Sequence, residues 1–190
     1  FYNEPGPAFA SDSTLSGEQK KDGAFSHKAW ITAARDSDNE STPSYLPHRA
    51  YPTFQFQKTA EGILRTPCLV SLWVSLDFPP LAERPGQVDD WFSFVTLSPD
   101  PGDSWSRTVL VNVVHDGYLR LVHVPDQGQQ EWIFQAEAAN DPSGLLTFPS
   151  RQWVRIDVYI DFDADSGSAR VWQDGQLVSH ALVRGGNGGL

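Results

Sequence analysis

The sequence has a single cysteine, Cys68, no methionine, and few basic residues: 14 Lys and Arg against 24 Asp and Glu in 190 positions. One cysteine excludes an intrachain disulfide and any zinc site built on several thiolates. The formal charge of −10 sets a field that repels nucleic acid and anionic membrane surfaces unless a local basic patch overrides it. The densest basic cluster, Lys20-Lys21, is no such patch, so no nucleic-acid partner is expected. No apolar run approaches the ~20 residues that span a bilayer, so no membrane span is expected either. The five histidines, His27, His48, His115, His123 and His180, are too dispersed to suggest a zinc site. There is no glycine-rich phosphate loop, nucleophile elbow or HExxH helix. The chain opens at Phe1, from which we expect either a removed leader or a piece of a longer protein.

What is present suits an ordered, turn-rich domain. At roughly 100–200 residues per domain the length suggests one domain, able to bury roughly 70% of the unfolded chain's surface. Hydrophobic residues make up 39% and charged residues 20%, with 15 Gly and 14 Pro; these proportions exclude collagen, coiled coil and bulk disorder. Residues 1–25 show no periodicity and read as an irregular N-terminal arm, leaving 26–190 as one domain. From about residue 51 the text becomes short runs of period two: 51–57, 68–78, 91–97, 108–114, 118–124, 131–136, 154–163, 169–173 and 176–181. Turn residues separate them, including His115-Asp116-Gly117 and Asp174-Gly175. Asp-Gly between alternating runs is a strong hairpin signal. Only 135–139 hints at a helical turn. The expected fold class is all-β, an antiparallel β-sandwich or jelly roll.

The run 154–163 divides most cleanly. Val154, Ile156, Val158, Ile160 and Phe162 fall on one face; Arg155, Asp157, Tyr159, Asp161 and Asp163 fall on the other. The run 68–78 divides likewise, with Trp73 and Asp77 outward. A sheet packed on one face and bearing Trp, Tyr and carboxylates on the other meets the needs of a concave sugar-binding surface, where rings cover apolar sugar faces and polar groups meet hydroxyls. The competing reading is an ordinary solvated sheet face with half-buried aromatics. Trp73, Tyr159 and Trp91 are the candidate stacking platforms, and Gln55, Asp77, Asn112, Arg120 and Asp157 the candidate hydrogen-bonding groups. Trp172 has opposite parity to Ala169 and Val171, which leaves its face open. Cys68, in Pro67-Cys68-Leu69-Val70, reads as a small buried thiol.

The segment from Gln152-Trp153-Val154-Arg155 through Asp161, followed by Ser166-Gly167-Ser168-Ala169-Arg170-Val171-Trp172-Gln173-Asp174-Gly175, resembles the "G-x-W-v … G-x-i-x-v-w-x-(N/D)-G" hairpin of concanavalin A-like jelly rolls. That superfamily includes lectins, laminin-G-like domains, glucanases and heparin-lyase-like polysaccharide lyases, and the order of elements over roughly 45–185 is most similar to the lyase branch. The resemblance implies a jelly roll and, with it, a further strand or two closing the sheet beyond the hairpin, so a closing strand past Leu190 is expected. Members of the lyase branch carry an Arg-x-Glu pair in an early strand and a Gln-x-His in the strand matching 91–97. Here those places read His48-Arg49-Ala50-Tyr51 and Phe92-Ser93-Phe94-Val95-Thr96, so no catalytic residue is carried across.

A lyase must abstract a proton α to a uronate carboxylate and neutralise the charge that develops. Tyr159 or His115 is the candidate base and Arg120 the candidate neutraliser, with Asn112 and Tyr118 nearby in the chain. The acid-x-acid-x-acid strand of retaining glucanases has a superficial counterpart in Asp157-x-Tyr159-x-Asp161-x-Asp163, but Tyr holds the middle place. Asp157 and Asp161 are about 13 Å apart at ~3.3 Å per residue, beyond the roughly 5–9.5 Å that glycoside hydrolysis requires. Asp161, Asp163 and Asp165 before Gly167 supply alternating oxygens, which suit calcium or, more simply, the end of a strand and its turn. No other cofactor is expected. The leading expectation is a glycan-binding module, extracellular or periplasmic, that reads a polysaccharide across a sheet face. Polysaccharide lyase action by β-elimination on a uronate polymer is the second, and a non-catalytic adhesion or structural domain the third.

Overall fold

The computed structural model describes residues 11–31, 56–77, 91–99, 107–114, 117–125, 130–133, 145–183 and 188–190. The chain divides into two compact units, Phe1–Gln55 and Phe56–Leu190. In the first, β1 (Ser11–Ser16) and β2 (Ser26–Ile31) form an antiparallel hairpin, with Ser13 facing Ala29 and Leu15 facing His27. The expectation of an irregular arm over 1–25 is therefore corrected at 11–16. That strand is built from Ser, Thr and Asp with one Leu, so it carries no apolar alternation to betray it, and its pairing comes from the partner strand.

The second unit holds two four-stranded antiparallel sheets. One has the order β10-β9-β8-β3, from β3 (Cys68–Val74), β8 (Val154–Asp161), β9 (Ser168–Gln173) and β10 (Gln176–Leu182). The other has the order β4-β5-β6-β7, from β4 (Trp91–Leu97), β5 (Val109–Val114), β6 (Leu119–His123) and β7 (Glu131–Ile133). Eight of the nine sequence-predicted runs coincide with strands to within a few residues. The run 51–57 does not: Phe56–Lys58 is a turn of 3-10 helix, and 51–55, like 135–139, lie outside the described residues.

Alternation builds the core. Val154, Ile156, Val158 and Ile160 of β8, with Ala169 and Val171 of β9, are fully or almost fully buried, and they share one cluster with Val109, Val111 and Val113 of β5 and Leu119 and Leu121 of β6. Residues from both sheets in one cluster make a β-sandwich, with each inward side chain worth ~1.5–3 kcal/mol of burial. Cys68 packs against this core from the edge, half-buried, and burial pushes its thiol pKa up, so the neutral thiol persists at neutral pH.

Two turns follow directly from sequence. Asp174 and Gly175 close the β9–β10 hairpin with φ of 48° and 85°; two positive φ values in a two-residue loop make the turn that matches strand twist, and Asp-Gly suits it. Gly167 opens β9 because a Cβ there would lie 2.7–2.8 Å from the carbonyl oxygens of Asp161, Asp163 and Val183. Past β10, residues 188–190 pair with 64–66: the Leu190 N–H donates to Leu64 O at 2.8 Å and the Thr66 N–H to Gly188 O at 2.9 Å.

Candidate functional site

The outward face of the sheet β10-β9-β8-β3 is set by the residues between those that enter the core. Strand register aligns them in rows. Leu69 of β3, Tyr159 of β8, Arg170 of β9 and His180 of β10 form one row; Ser71, Asp157, Trp172 and Leu177 form the next; Trp73 and Arg155 face each other beyond. Trp172, whose face parity alone leaves open, thus stands beside Asp157 on the outward side and is half-buried. Leu69 is 58% exposed and Trp73 42%. An open sheet face that shows a Trp, a Tyr, a second Trp and leucines is unlike the uniformly polar face of an ordinary solvated sheet.

A polar network crosses this apolar ground. Asp157, with its side chain only 13% exposed, accepts a hydrogen bond from Ser71 Oγ at 2.5 Å and another from Arg155 Nε at 3.1 Å. Asp174 accepts from the Arg155 backbone N–H at 2.9 Å. Arg155 is thus anchored beside Trp73, and both bonds to Asp157 fall on Oδ1. The Arg170 guanidinium lies over the Tyr159 ring, 5.5 Å from its centroid. Asp77, just past β3, is exposed and accepts from Arg151 Nε at 2.8 Å.

The other sequence-predicted residues go elsewhere. Asn112 and Arg120 face each other on β5 and β6, on the outward side of the second sheet, because Val111, Val113, Leu119 and Leu121 take the inward positions. They therefore lie across the sandwich from Tyr159, Asp157 and Trp73. The structure does not bring Arg120 to Tyr159. Asn112 is 1% exposed, with its Oδ1 buried and unpartnered, and Leu110 and Val122 on the same side form a second buried cluster with Val124. Trp91 opens β4 on that sheet, opposite Val114. Gln55 and His115 lie outside the described residues.

The acidic run ends β8 and makes its turn. Asp161 Oδ1 accepts the Asp163 N–H at 3.0 Å, and Asp163 Oδ1 accepts from the N–H groups of Asp165 and Ser166 and from Ser166 Oγ at 2.8–3.0 Å. The Ser166 and Asp165 N–H donors hold the Asp163 carboxyl below its ordinary range. Among the described residues no group of three or more His, Cys, Asp or Glu is placed to hold a metal ion, and no helix is long and apolar enough to cross a membrane.

Sequence reasoning missed Leu69, Arg170, Trp172 and Leu177 as members of the exposed face. The signal was present in the strict alternation of β3 and β9, but cross-strand register was needed to align them. Comparisons of this chain with protein-family models, with curated proteins and with solved structures find no match.

Proposed function

We propose that this protein is a glycan-binding module whose binding surface is the outward face of β10-β9-β8-β3, and that its sandwich is a jelly roll of concanavalin A-like type. The observation that carries the reading is the exposure of Trp73 beside the Ser71–Asp157–Arg155 network. A pyranose has an apolar face that covers an indole and hydroxyl edges that need fixed donors and acceptors; Trp73 supplies the first, and Arg155, Asp157 and Ser71 supply the second. Binding is favoured over lyase action because Arg120, the expected charge neutraliser, lies on the other sheet from Tyr159.

The test is titration of the whole chain against a panel of soluble polysaccharides, with Trp73→Ala beside the unmodified protein. The expected result is saturable binding without any product, weakened by about 1–3 kcal/mol in the variant, a value scaled from base–aromatic stacking. Unchanged affinity in a destabilised Trp73→Ala variant would make Trp73 a packing residue and overturn the reading, as would a rise in ultraviolet absorbance from unsaturated uronides.

A further inference from the structure

The charges on the outward face of β10-β9-β8-β3 are not equivalent. Arg155 is spent on Asp157, and Arg151, beyond the strands, is spent on Asp77. Asp161 directs Oδ1 to the Asp163 N–H. Arg170 is exposed, lies against the Tyr159 ring, and has no carboxylate partner among the described residues. His180 is its cross-strand neighbour on β10 and is exposed too. Of the two arginines in the outward rows of this face, Arg155 holds a carboxylate and Arg170, among the described residues, does not.

Resting on the glycan reading, we infer that the glycan bound by this face carries an acidic group, a carboxylate or a sulfate ester, and that Arg170 holds it with His180 alongside. The chemistry follows from the guanidinium itself. Its planar fork presents parallel N–H donors that match two oxygens of a carboxylate or sulfate, and it is weakly hydrated, so it gives up water at small cost. The Tyr159 ring lies against the guanidinium, 5.5 Å from ring centroid to its central carbon, and the exposed Arg170 side chain stays open to a ligand. His180 adds a ring N–H on the adjacent strand, about 5 Å away across the sheet. Arg155, already bound to Asp157, is left to serve hydroxyls. The chain's net negative field repels a polyanion at long range, so the acidic group is held by short-range contact with this row and not by steering.

The experiment is calorimetric titration of the whole chain with polygalacturonate and its carboxyl-reduced neutral counterpart, and with a sulfated galactan and its desulfated form, for the unmodified protein, Arg170→Gln and Arg170→Lys. Arg170 is exposed, and a thermal melt of each variant reports that the fold is kept. At least one acidic polymer is expected to bind about tenfold more tightly than its neutral counterpart. Arg170→Gln should erase that preference and Arg170→Lys should keep part of it. Whichever acidic polymer shows the preference identifies the group as carboxylate or sulfate. Equal binding of acidic and neutral forms, or a preference that survives Arg170→Gln, overturns this inference and leaves the glycan reading standing. No binding of any of the four polymers overturns both.

Discussion

The two sheets of the sandwich share an inward face and differ in what lies outward. On β10-β9-β8-β3 the outward leucine of β3, Leu69, is 58% exposed; on β4-β5-β6-β7 the outward leucine of β5, Leu110, is 4% exposed and belongs to a second buried cluster with Val122 and Val124. The sequences of the strands carry the same contrast. In β8, VRIDVYID, every second residue is polar or aromatic, and only the alternate residues are fully buried. In β5, VLVNVV, apolar residues stand on both sides and all six are buried. Alternation is the mark of a strand with one face in water, whereas a continuous apolar run is the mark of a strand covered twice. The lesson concerns function as much as packing. A buried Asn between valines, as at Asn112, belongs to the covered sheet, and an exposed Trp two residues after an exposed Ser, as at Trp73 after Ser71, belongs to the open one.

Equal truncations on the two faces sharpen this contrast most strongly. Leu110→Ala should cost about 2–5 kcal/mol because it empties a covered site, whereas Leu69→Ala should stay within about 0.5 kcal/mol because its side chain is largely in water. Chemical denaturation of both variants measures the difference, and equal losses would break the distinction between a covered and an open face. An intermediate effect is expected at Asp157, whose side chain is only 13% exposed. Asp157→Ala removes the acceptor shared by Ser71 and Arg155 and should cost about 1–2 kcal/mol of stability. It also frees the Arg155 side chain, so affinity for glycan should fall even at temperatures where the variant is fully folded. A variant that keeps full affinity would show that Arg155 needs no anchor.

The smallest effect concerns the turn that feeds the open sheet. Asp163 is fully exposed, and its turn hydrogen bonds lower its folded pKa. A carboxyl with a depressed folded pKa stabilises above its unfolded pKa, and the contribution is lost as pH falls through the folded value. Asp163→Asn should therefore be less stable than the unmodified protein at neutral pH. The two should converge only on the acid side, below the ordinary carboxylate range. Denaturation midpoints across a pH series test this, and a gap that does not narrow toward acid would assign the loss to the turn's backbone instead.

Much of the fold was legible because the period-two signal is strong. The inward set of β8 was readable residue by residue, since a one-residue slip would bring Arg155 and Asp157 into the core. The Asp174-Gly175 turn was readable because few other dipeptides adopt two positive φ values. The candidate site was legible only on its own strands: Trp73, Asp157 and Tyr159 could be assigned to outward faces, but which outward faces coincide depends on strand order. Asn112 and Arg120 have sound local chemistry and correct parity, yet β5 and β6 belong to the other sheet. Periodicity fixes which side of a strand a residue takes and is silent about which strands lie side by side. The polar strand β1 was illegible for a simpler reason, since it has no apolar side to alternate.

Strand β10 holds one residue more than its partner uses. Leu177 faces Trp172 and Ser179 faces Val171, so Val178 is the extra residue of a bulge, buried with Ser179 beside it. In terms of insertion and deletion, this makes β10 a strand with a splice point. Removing Val178 would forfeit one core side chain but leave Leu177 facing Trp172 and His180 facing Arg170. Removing a residue between 179 and 182 would instead exchange inside for outside over the remainder of the strand. Changes in chain length are therefore absorbed at one position of β10, and the pairing of His180 with Arg170 is insulated from them.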